Sequence, residues 1–143
     1  MSSDRHVDTV GAIYEAFGRG DVPAILEALA DDVVWEGWAD NSAQRAGVPW
    51  MAERRGRDQV AGFFDVVGAW DVADFRLLSV MAGGDRVAAQ VVIEATTAEG
   101  HRFRDEELHL WTFDAAGKVA HMRHYADTAK HMAAAGVAAV PAG

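Results

Sequence analysis

The period of the hydrophobic pattern changes once along this chain, near residue 70. Before that point, apolar residues recur at helical spacing over residues 4–18 and again from about 57 to 67. After it, apolar and polar residues alternate over residues 71–81 and 86–96, and β-branched and aromatic residues are frequent over 101–127. Helices followed by strands with short turns indicate an α+β domain, with helices packed on one face of a curved sheet.

Shorter elements complete this prediction. Asp21 is a suitable N-cap for a second helix with Pro23 in its first turn, and a short strand is expected from Val33 to Glu36. Residues 37–55 have no clear period and carry Trp38 and Trp50, so they are either a functional lid or partner surface, or a flexible insertion. An Ala-rich run to Ala135 predicts a last helix. The domain is expected to span residues 1–136, followed by a loose tail over 137–143.

The stretch from His101 to Asp127 predicts a hairpin, because Asp114, Ala115, Ala116 and Gly117 supply turn chemistry between two strand-like runs. If these four residues form the loop, Glu107 faces His124, His109 faces Met122 and Trp111 faces Ala120. The opposite face then carries Leu108 and Leu110.

The first hairpin face joins a carboxylate, two imidazoles and two apolar side chains. This mixture suits a mostly apolar pocket with a few polar groups, which we interpret as a candidate site of Glu107, His109 and His124. A histidine can serve as acid or base near neutral pH, and Glu107 would orient His124 while His109 donates to a developing enolate oxygen. The alternative is a solvent-exposed Glu107–His124 pair with a structural role only.

Composition excludes several classes of function. The chain has 143 residues, a formal net charge of −9 and a pI near 5.0, so nucleic acid and anionic membranes are not expected partners. It contains no cysteine, which excludes disulfides and thiol chemistry. Its six histidines lack the spacing of a metal motif, and no nucleotide fingerprint is present, so we expect neither metal nor cofactor. Without a signal peptide or a membrane-length apolar run, a cytoplasmic protein is expected.

Several short motifs occur in an order that resembles a known superfamily. They are Tyr14-Glu15-Ala16-Phe17, Arg19-Gly20-Asp21, Leu29-Ala30-Asp31-Asp32-Val33, Arg55-Gly56-Arg57, and Trp111-Thr112-Phe113 with Gly117-Lys118-Val119 and Tyr125-Ala126-Asp127. Together they resemble the SnoaL-like branch of the nuclear transport factor 2-like superfamily. The resemblance covers almost the whole chain and implies a cone-shaped α+β barrel, in which three N-terminal helices pack on a strongly bent, mainly antiparallel sheet around a pocket. It also implies a homodimer.

The resemblance does not bring a complete catalytic set with it. Compared with ketosteroid isomerase, Gly37 stands in place of the general-base aspartate, Ile13 in place of the oxyanion-hole tyrosine, and His109 in place of the protonated aspartate. Compared with limonene epoxide hydrolase, Val91 and Ile93 replace the arginine and aspartate of the middle strand. His124 replaces the water-activating aspartate, and Trp35 the tyrosine that helps to hold the water.

The resulting hypothesis is a small cofactor-free enzyme that performs acid–base chemistry of isomerase, cyclase or dehydratase type. Its substrate would be an apolar organic molecule such as a polyketide or terpenoid. A non-catalytic binding protein of the same fold and a structural dimer with a filled cone are the alternatives. His124, Glu107 and His109 are the predicted catalytic residues, and the predicted substrate-binding residues are Tyr14, Trp35, Phe64, Trp111 and Met122.

Overall fold

The computed structural model of the protein describes residues 2–37 and 40–137. Trp38 and residues 138–143 of the predicted tail therefore lie outside the described residues. Within them the helices are α1 (Ser2–Gly18), α2 (Val22–Glu27), α3 (Ser42–Arg45), α4 (Arg57–Val67) and α5 (Thr128–Ala134). The strands are β1 (Leu29–Gly37), β2 (Arg54–Arg55), β3 (Asp71–Gly83), β4 (Arg86–Thr96), β5 (Arg102–Phe113) and β6 (Val119–Tyr125).

The strands form one curled, unclosed sheet in the order β2-β1-β6-β5-β4-β3. All neighbours pair antiparallel except β1 and β6, which are parallel. The α+β domain predicted from the change of period and the cone implied by the family resemblance are confirmed, with this parallel pair as an addition to the predicted meander. In this pair β1 lies along the edge of β6, and the N–H of Val119 donates to the carbonyl of Ala28.

The predicted helices form where their signals lie. The side chain of Asp21 accepts the backbone N–H of Ala24, which caps α2. Strand β1 is longer than the predicted Val33–Glu36, because its first residues pair with the start of β6. Among the described residues, no helix has the length and apolarity to span a membrane. The cytoplasmic location and the domain limits stay predictions.

Part of the aperiodic segment packs into the core, within its described residues 40–55. After the short helix α3 it forms a 3₁₀ turn at Pro49–Met51 and then strand β2. Val48, Trp50 and Met51 are buried. The hydrophobic pattern did not predict this packing, because the elements of the segment are single turns, which are too short to show a period.

The hairpin register differs from the predicted one by two residues. His109 pairs with His124 and Trp111 with Met122, so the predicted Glu107–His124 and His109–Met122 pairings are wrong. The loop has five residues rather than the predicted four, because Phe113 pairs with Val119, and this shifts the register by one residue. A bulge at Ala120 shifts it by one more. Side chains alternate between the two faces of a strand, so a register shift of two residues leaves each hairpin residue on its predicted face.

Candidate functional site

The helices and the concave side of the sheet enclose a cavity of about 80 Å³. Five aliphatic side chains and four polar ones, Glu107, His109, His124 and His131, contribute to its wall. Most of the wall is aromatic and comprises Tyr14, Phe17, Trp35, Trp50, Phe63, Phe64, Trp70, Phe75, Phe103 and Trp111. A mostly apolar cavity of this kind binds organic molecules through the apolar contact area that they bury. Its few polar groups orient the molecule by hydrogen bonds.

All eight residues predicted for the site lie on this cavity. The polar group comes from β5 and β6, whose alternation turns every second side chain inward. Helix α1 contributes Tyr14, β1 contributes Trp35, and α4 contributes Phe64. The complete set is Tyr14, Trp35, Phe64, Glu107, His109, Trp111, Met122 and His124. Their chemical roles stay predictions.

The carboxylate of Glu107 is the centre of the polar wall. Its Oε1 accepts from Nε2 of His124 at 2.8 Å and from Nε2 of His109 at 3.1 Å. Its Oε2 accepts from Nε2 of His131 at 2.8 Å. Burial works against a charge here, but the attraction of the His124 ring whenever it is protonated and the three imidazole hydrogen bonds outweigh it, so the pKa of Glu107 lies well below its usual value. The carboxylate is therefore ionised.

Both ring nitrogens of His109 are engaged. Nδ1 lies 2.6 Å from the hydroxyl of Tyr14, which in turn accepts the indole N–H of Trp111 at 3.2 Å. Burial lowers the pKa of His109 more than its bond to Glu107 raises it, which favours the neutral ring. The neutral ring donates from Nε2 to Glu107 and accepts the Tyr14 proton at Nδ1. A donor for a substrate oxygen therefore has to come from elsewhere than His109.

His131 on α5 extends the cluster to a second carboxylate. Its Nε2 also lies 2.8 Å from Oδ2 of Asp105, and its Nδ1 accepts the indole N–H of Trp50 at 2.8 Å. Burial alone would lower its pKa, but the bonds to Asp105 and Glu107 raise the pKa of His131 to about 9. The Trp50 donor acts against them, since only the neutral ring keeps a lone pair on Nδ1.

The ring of His124 differs from those of His109 and His131 in the hydrogen bonding of its Nδ1 atom. Nε2 donates to Glu107, and Nδ1 makes no hydrogen bond with any described residue. A carboxylate that accepts the Nε2 proton holds the ring in the tautomer with its lone pair on Nδ1. Glu107 thus orients His124 so that Nδ1 is free to accept a proton, the arrangement of an acid–base dyad.

Sequence comparison assigns this fold to a family. Residues 10–122 match the SnoaL-like domain, which is more than half of the chain. The protein belongs to the SnoaL-like family. Among curated proteins, none matches this SnoaL-like chain in sequence.

Solved structures share the fold of this SnoaL-like protein. An NTF2-like protein of unknown function from Burkholderia pseudomallei is 27% identical, with a TM-score of 0.75 over 90% of this chain and 95% of its own. TerC, co-crystallised with polyporic acid, is 22% identical, with a TM-score of 0.73 over 92% and 98%. A limonene-epoxide-hydrolase-like enzyme from Mycobacterium tuberculosis is 17% identical, with a TM-score of 0.72 over 94% and 91%. The last two likenesses concern the fold alone.

Two groups in the SnoaL-like site have ligand atoms close enough for a cation. Glu107, His109 and His124 form one, and Asp105, Glu107 and His131 form the other, with the atoms of each within 4.8 Å of one another. The second group fits a cation poorly, because the Trp50 donor keeps the proton of His131 on Nε2, where a metal would bind. In the first group, hydrogen bonds account for both Nε2 atoms and Oε1 without a cation.

Three residues that belong to the polar wall or hydrogen-bond to it were not predicted from the sequence. They are Trp50, Asp105 and His131, which come from the aperiodic segment, β5 and α5. One signal was available, because Asp105 shares the strand parity of Glu107 and His109. No local pattern connects Trp50 or His131 to the hairpin, since both reach it only through tertiary packing.

Proposed function

We propose that this protein is a small acid–base enzyme that moves a proton on an apolar organic molecule held in the aromatic cavity. The observation that carries the proposal is the Glu107–His124 dyad, in which Nδ1 of His124 makes no hydrogen bond with any described residue and the His124 side chain lines that cavity. Proton abstraction next to a carbonyl is the reaction class that such a dyad serves best. Isomerisation, aldol-type cyclisation and elimination of a β-hydroxyl group from a carbonyl compound each use this step.

In this step the lone pair on Nδ1 of His124 takes a proton from the carbon next to the carbonyl. The carbon–hydrogen bond breaks, its electron pair moves to the carbonyl oxygen as an enolate, and the imidazolium is stabilised by ionised Glu107. The protonated Nδ1 then returns the proton to the same or another carbon. His109 and His131 hold the Glu107 carboxylate from two sides, so its position is fixed before a substrate arrives.

Cavity volume supports a substrate smaller than a polycyclic polyketide. If a water molecule needs about 10–15 Å³ of such space, the cavity replaces roughly five to eight waters. That corresponds to a monocyclic molecule, and a larger substrate would require the aromatic walls to move. Ionised Glu107 disfavours an anionic ligand by charge repulsion, so the substrate is uncharged in this proposal.

A binding protein of the same fold is the second candidate. The saturated hydrogen bonds of Tyr14, His109 and His131 favour it, because a fully satisfied network also serves to rigidify a pocket. TerC, which has a similar fold, was co-crystallised with polyporic acid, and this supports a ligand-binding role for the cavity. Turnover separates the two candidates.

The test is deuterium exchange of the protons next to the carbonyl in monocyclic ketones, followed by ¹H NMR in D₂O. We expect wild-type protein to accelerate exchange and His124→Gln to lose roughly 100- to 10,000-fold of it. His121→Gln is the matched control, because His121 lies on the same strand but binds Glu36 on the other face. Absence of exchange with every ketone that binds would reject the enzyme and favour the binding protein.

Our proposal includes a homodimer formed through the outer face of the sheet, with no nucleic acid or membrane partner. Leu108 and Leu110 lie on that face as predicted. Leu110 is in register with Ala88 of β4, and Ala88 with Met81 of β3, which is 59% exposed. This apolar row supports self-association, because a two-fold interface needs a patch that complements itself.

A further inference from the structure

The two oxygens of the Glu107 carboxylate have different partners. Oε1 accepts from the two strand histidines, His124 and His109, whereas Oε2 accepts from His131 on α5. His131 is 1% exposed, so water has little access to this last bond. Helix α5 therefore holds the carboxylate through the oxygen that His124 does not use, and the state of the His131 ring decides how it does so.

The indole of Trp50 fixes the tautomer of His131. Its N–H donates to Nδ1 of His131 at 2.8 Å, and both side chains are buried. A ring nitrogen that accepts a hydrogen bond carries no proton, so the proton of the neutral ring lies on Nε2. That nitrogen is the one that faces Glu107 and Asp105. Trp50 thus directs the His131 donor toward the polar wall.

Asp105 and Trp50 act on the charge of His131 in opposite directions. Oδ2 of Asp105 lies 2.8 Å from the Nε2 atom that also binds Glu107, and two carboxylates favour the protonated ring. The indole N–H favours the neutral ring, because a protonated Nδ1 cannot accept it. The rings of His124 and Phe103 complete the surroundings of His131. Among the described residues, no other titratable side chain bonds to it or stacks on it.

The charge of His131 acts on His124 through the carboxylate that both rings bind. The centroids of the two rings are 5.8 Å apart. At this distance, in a buried site that salt screens little, a positive charge on His131 opposes a second positive charge on His124. When His131 is neutral, the whole charge of Glu107 is available to the imidazolium of His124.

We propose that Trp50 and His131 are positioning residues of this site, and that Trp50, by favouring neutral His131, leaves the Glu107 carboxylate to stabilise protonated His124. We call this chain of hydrogen bonds the Trp50–His131–Glu107 relay. The relay rests on distances and burial, while its effect on turnover rests on the proposed function. It also gives Trp50, which comes from the aperiodic segment, a role at the polar wall.

Titration of His131 tests the relay without a substrate. The carbon-bound imidazole protons are followed in ¹H–¹³C spectra through the pH range around 9, and His131→Gln assigns the signal. Trp50→Phe keeps an aromatic ring but removes the N–H, so the midpoint for His131 should rise by about 0.5–1 pH unit, as expected for one neutral hydrogen bond. An unchanged midpoint in folded Trp50→Phe overturns the proposal.

Trp70→Phe is the matched control for this titration. Trp70 packs on Trp50 at a centroid distance of 4.8 Å, but its indole N–H has no hydrogen-bond partner among the described residues. The same substitution there changes the packing around Trp50 and removes no bond to His131. The midpoint for His131 should therefore stay as in the wild type, and a rise equal to that in Trp50→Phe would overturn the proposal.

The spectrum of His124 reports the second half of the relay. Its signal should move again in the pH range where His131 titrates, and in Trp50→Phe this movement should follow His131 to higher pH. His121 is the control, because it lies on the same strand and binds Glu36 on the other face, so its signal should not follow. A His124 signal that does not respond to His131 in the wild type overturns the proposal, even if Trp50→Phe does not fold.

Deuterium exchange of the ketone protons measures the relay during turnover. The rate in excess of that of His124→Gln should rise roughly 3- to 10-fold as His131 loses its proton, because the imidazolium of His124 is then better stabilised. In Trp50→Phe the rise should begin at higher pH, and in His131→Gln it should be absent. A purely structural role would lower the rate by the same factor at every pH, and that result contradicts the proposal.

The relay and the enzyme fail in different ways. If His131 and His124 titrate together and respond to Trp50→Phe, but no ketone exchanges, the relay stands and the acid–base enzyme is rejected. If exchange depends on His124 while Trp50→Phe leaves the titration of His131 unchanged, the enzyme stands and the relay is rejected.

Discussion

Tyr14 connects the aromatic wall to the polar cluster through a single hydroxyl. It accepts from Trp111 and donates to His109, and burial raises its pKa well above the usual value, so the hydroxyl stays protonated. Tyr14→Phe would leave the Trp111 N–H and Nδ1 of His109 without partners. We expect a loss of about 1–3 kcal/mol in the free energy of unfolding, measured by urea denaturation.

A double-mutant cycle tests whether this loss comes from the hydroxyl contact. Trp111→Phe removes the donor itself, so the double variant Tyr14→Phe/Trp111→Phe should lose less than the sum of the single losses. Strict additivity would show that the Tyr14 hydroxyl does not interact with the indole.

The charge of His131 depends on every group packed around it. Asp105 and Glu107 face Nε2, Trp50 faces Nδ1, and the rings of Phe103 and His124 pack at centroid distances of 4.9 and 5.8 Å. Its pKa of about 9 exceeds the value of about 6.5 in an unfolded chain. Protonation of His131 therefore stabilises the fold fully below about pH 6.5, and this stabilisation is lost as pH rises through 9.

The expected result is a fall in the free energy of unfolding as pH rises from about 6.5 to 9.5, measured by urea titrations, and the Trp50 donor makes this fall smaller than the carboxylates alone would give. Asp105→Asn removes one carboxylate beside His131, so the free energy of unfolding of this variant should begin to fall at a lower pH than in the wild type. Trp50→Phe removes the donor that favours the neutral ring, so the free energy of unfolding of this variant should begin to fall at a higher pH. A wild-type stability that stays level across this range would contradict the raised pKa.

Helix α5 brings His131 to the site although it has only seven residues. Asp127 caps it by accepting the backbone N–H of Lys130, and the backbone N–H of Asp127 donates to Asp105. Asp127→Ala should lower the free energy of unfolding by about 0.5–2 kcal/mol, measured by thermal or urea denaturation. Asp127→Asn keeps an acceptor at the cap and serves as the control. Equal losses in both variants would show that the cap contributes nothing.

The hairpin loop fixes the register on which the site depends. Asp114 accepts the backbone N–H groups of Ala116 and Lys118 at 2.9 and 3.0 Å, and Gly117 has a φ of 81°. A residue with a side chain is strained in that conformation. Loop and bulge together align His109 with His124, which brings the Nε2 atoms of both rings within reach of the Glu107 carboxylate.

At the scale of the whole molecule, the outer face of the sheet is the expected site of self-association. Met81 and Leu108 are 59% and 36% exposed on this face. A charge placed in an apolar interface is strongly unfavourable, so Met81→Lys/Leu108→Lys should convert a dimer to a monomer in light scattering. Arg86→Lys, at the exposed start of β4, is a control that should leave the mass unchanged. A wild-type protein that is already monomeric at high concentration would refute the dimer.

Local sequence patterns predicted the longer helices, the strands after residue 70 and the two faces of the hairpin. Helical spacing before residue 70 and alternation after it are local properties, and so are the Asp21 cap and the Asp114–Gly117 turn. The parity of Glu107, His109 and His124 tolerated an error of two residues in register, because side-chain direction repeats every second residue.

The construction of the polar wall depends on tertiary contacts. The bulge at Ala120, the parallel pairing of β1 with β6 and the burial of the segment around Trp50 depend on contacts between distant residues. These contacts add His131 and Asp105 to Glu107, occupy both nitrogens of His109, and leave Nδ1 of His124 and the Trp35 N–H unengaged. Which polar atoms remain free is a property of packing, since a hydrogen bond requires two groups that the sequence places far apart.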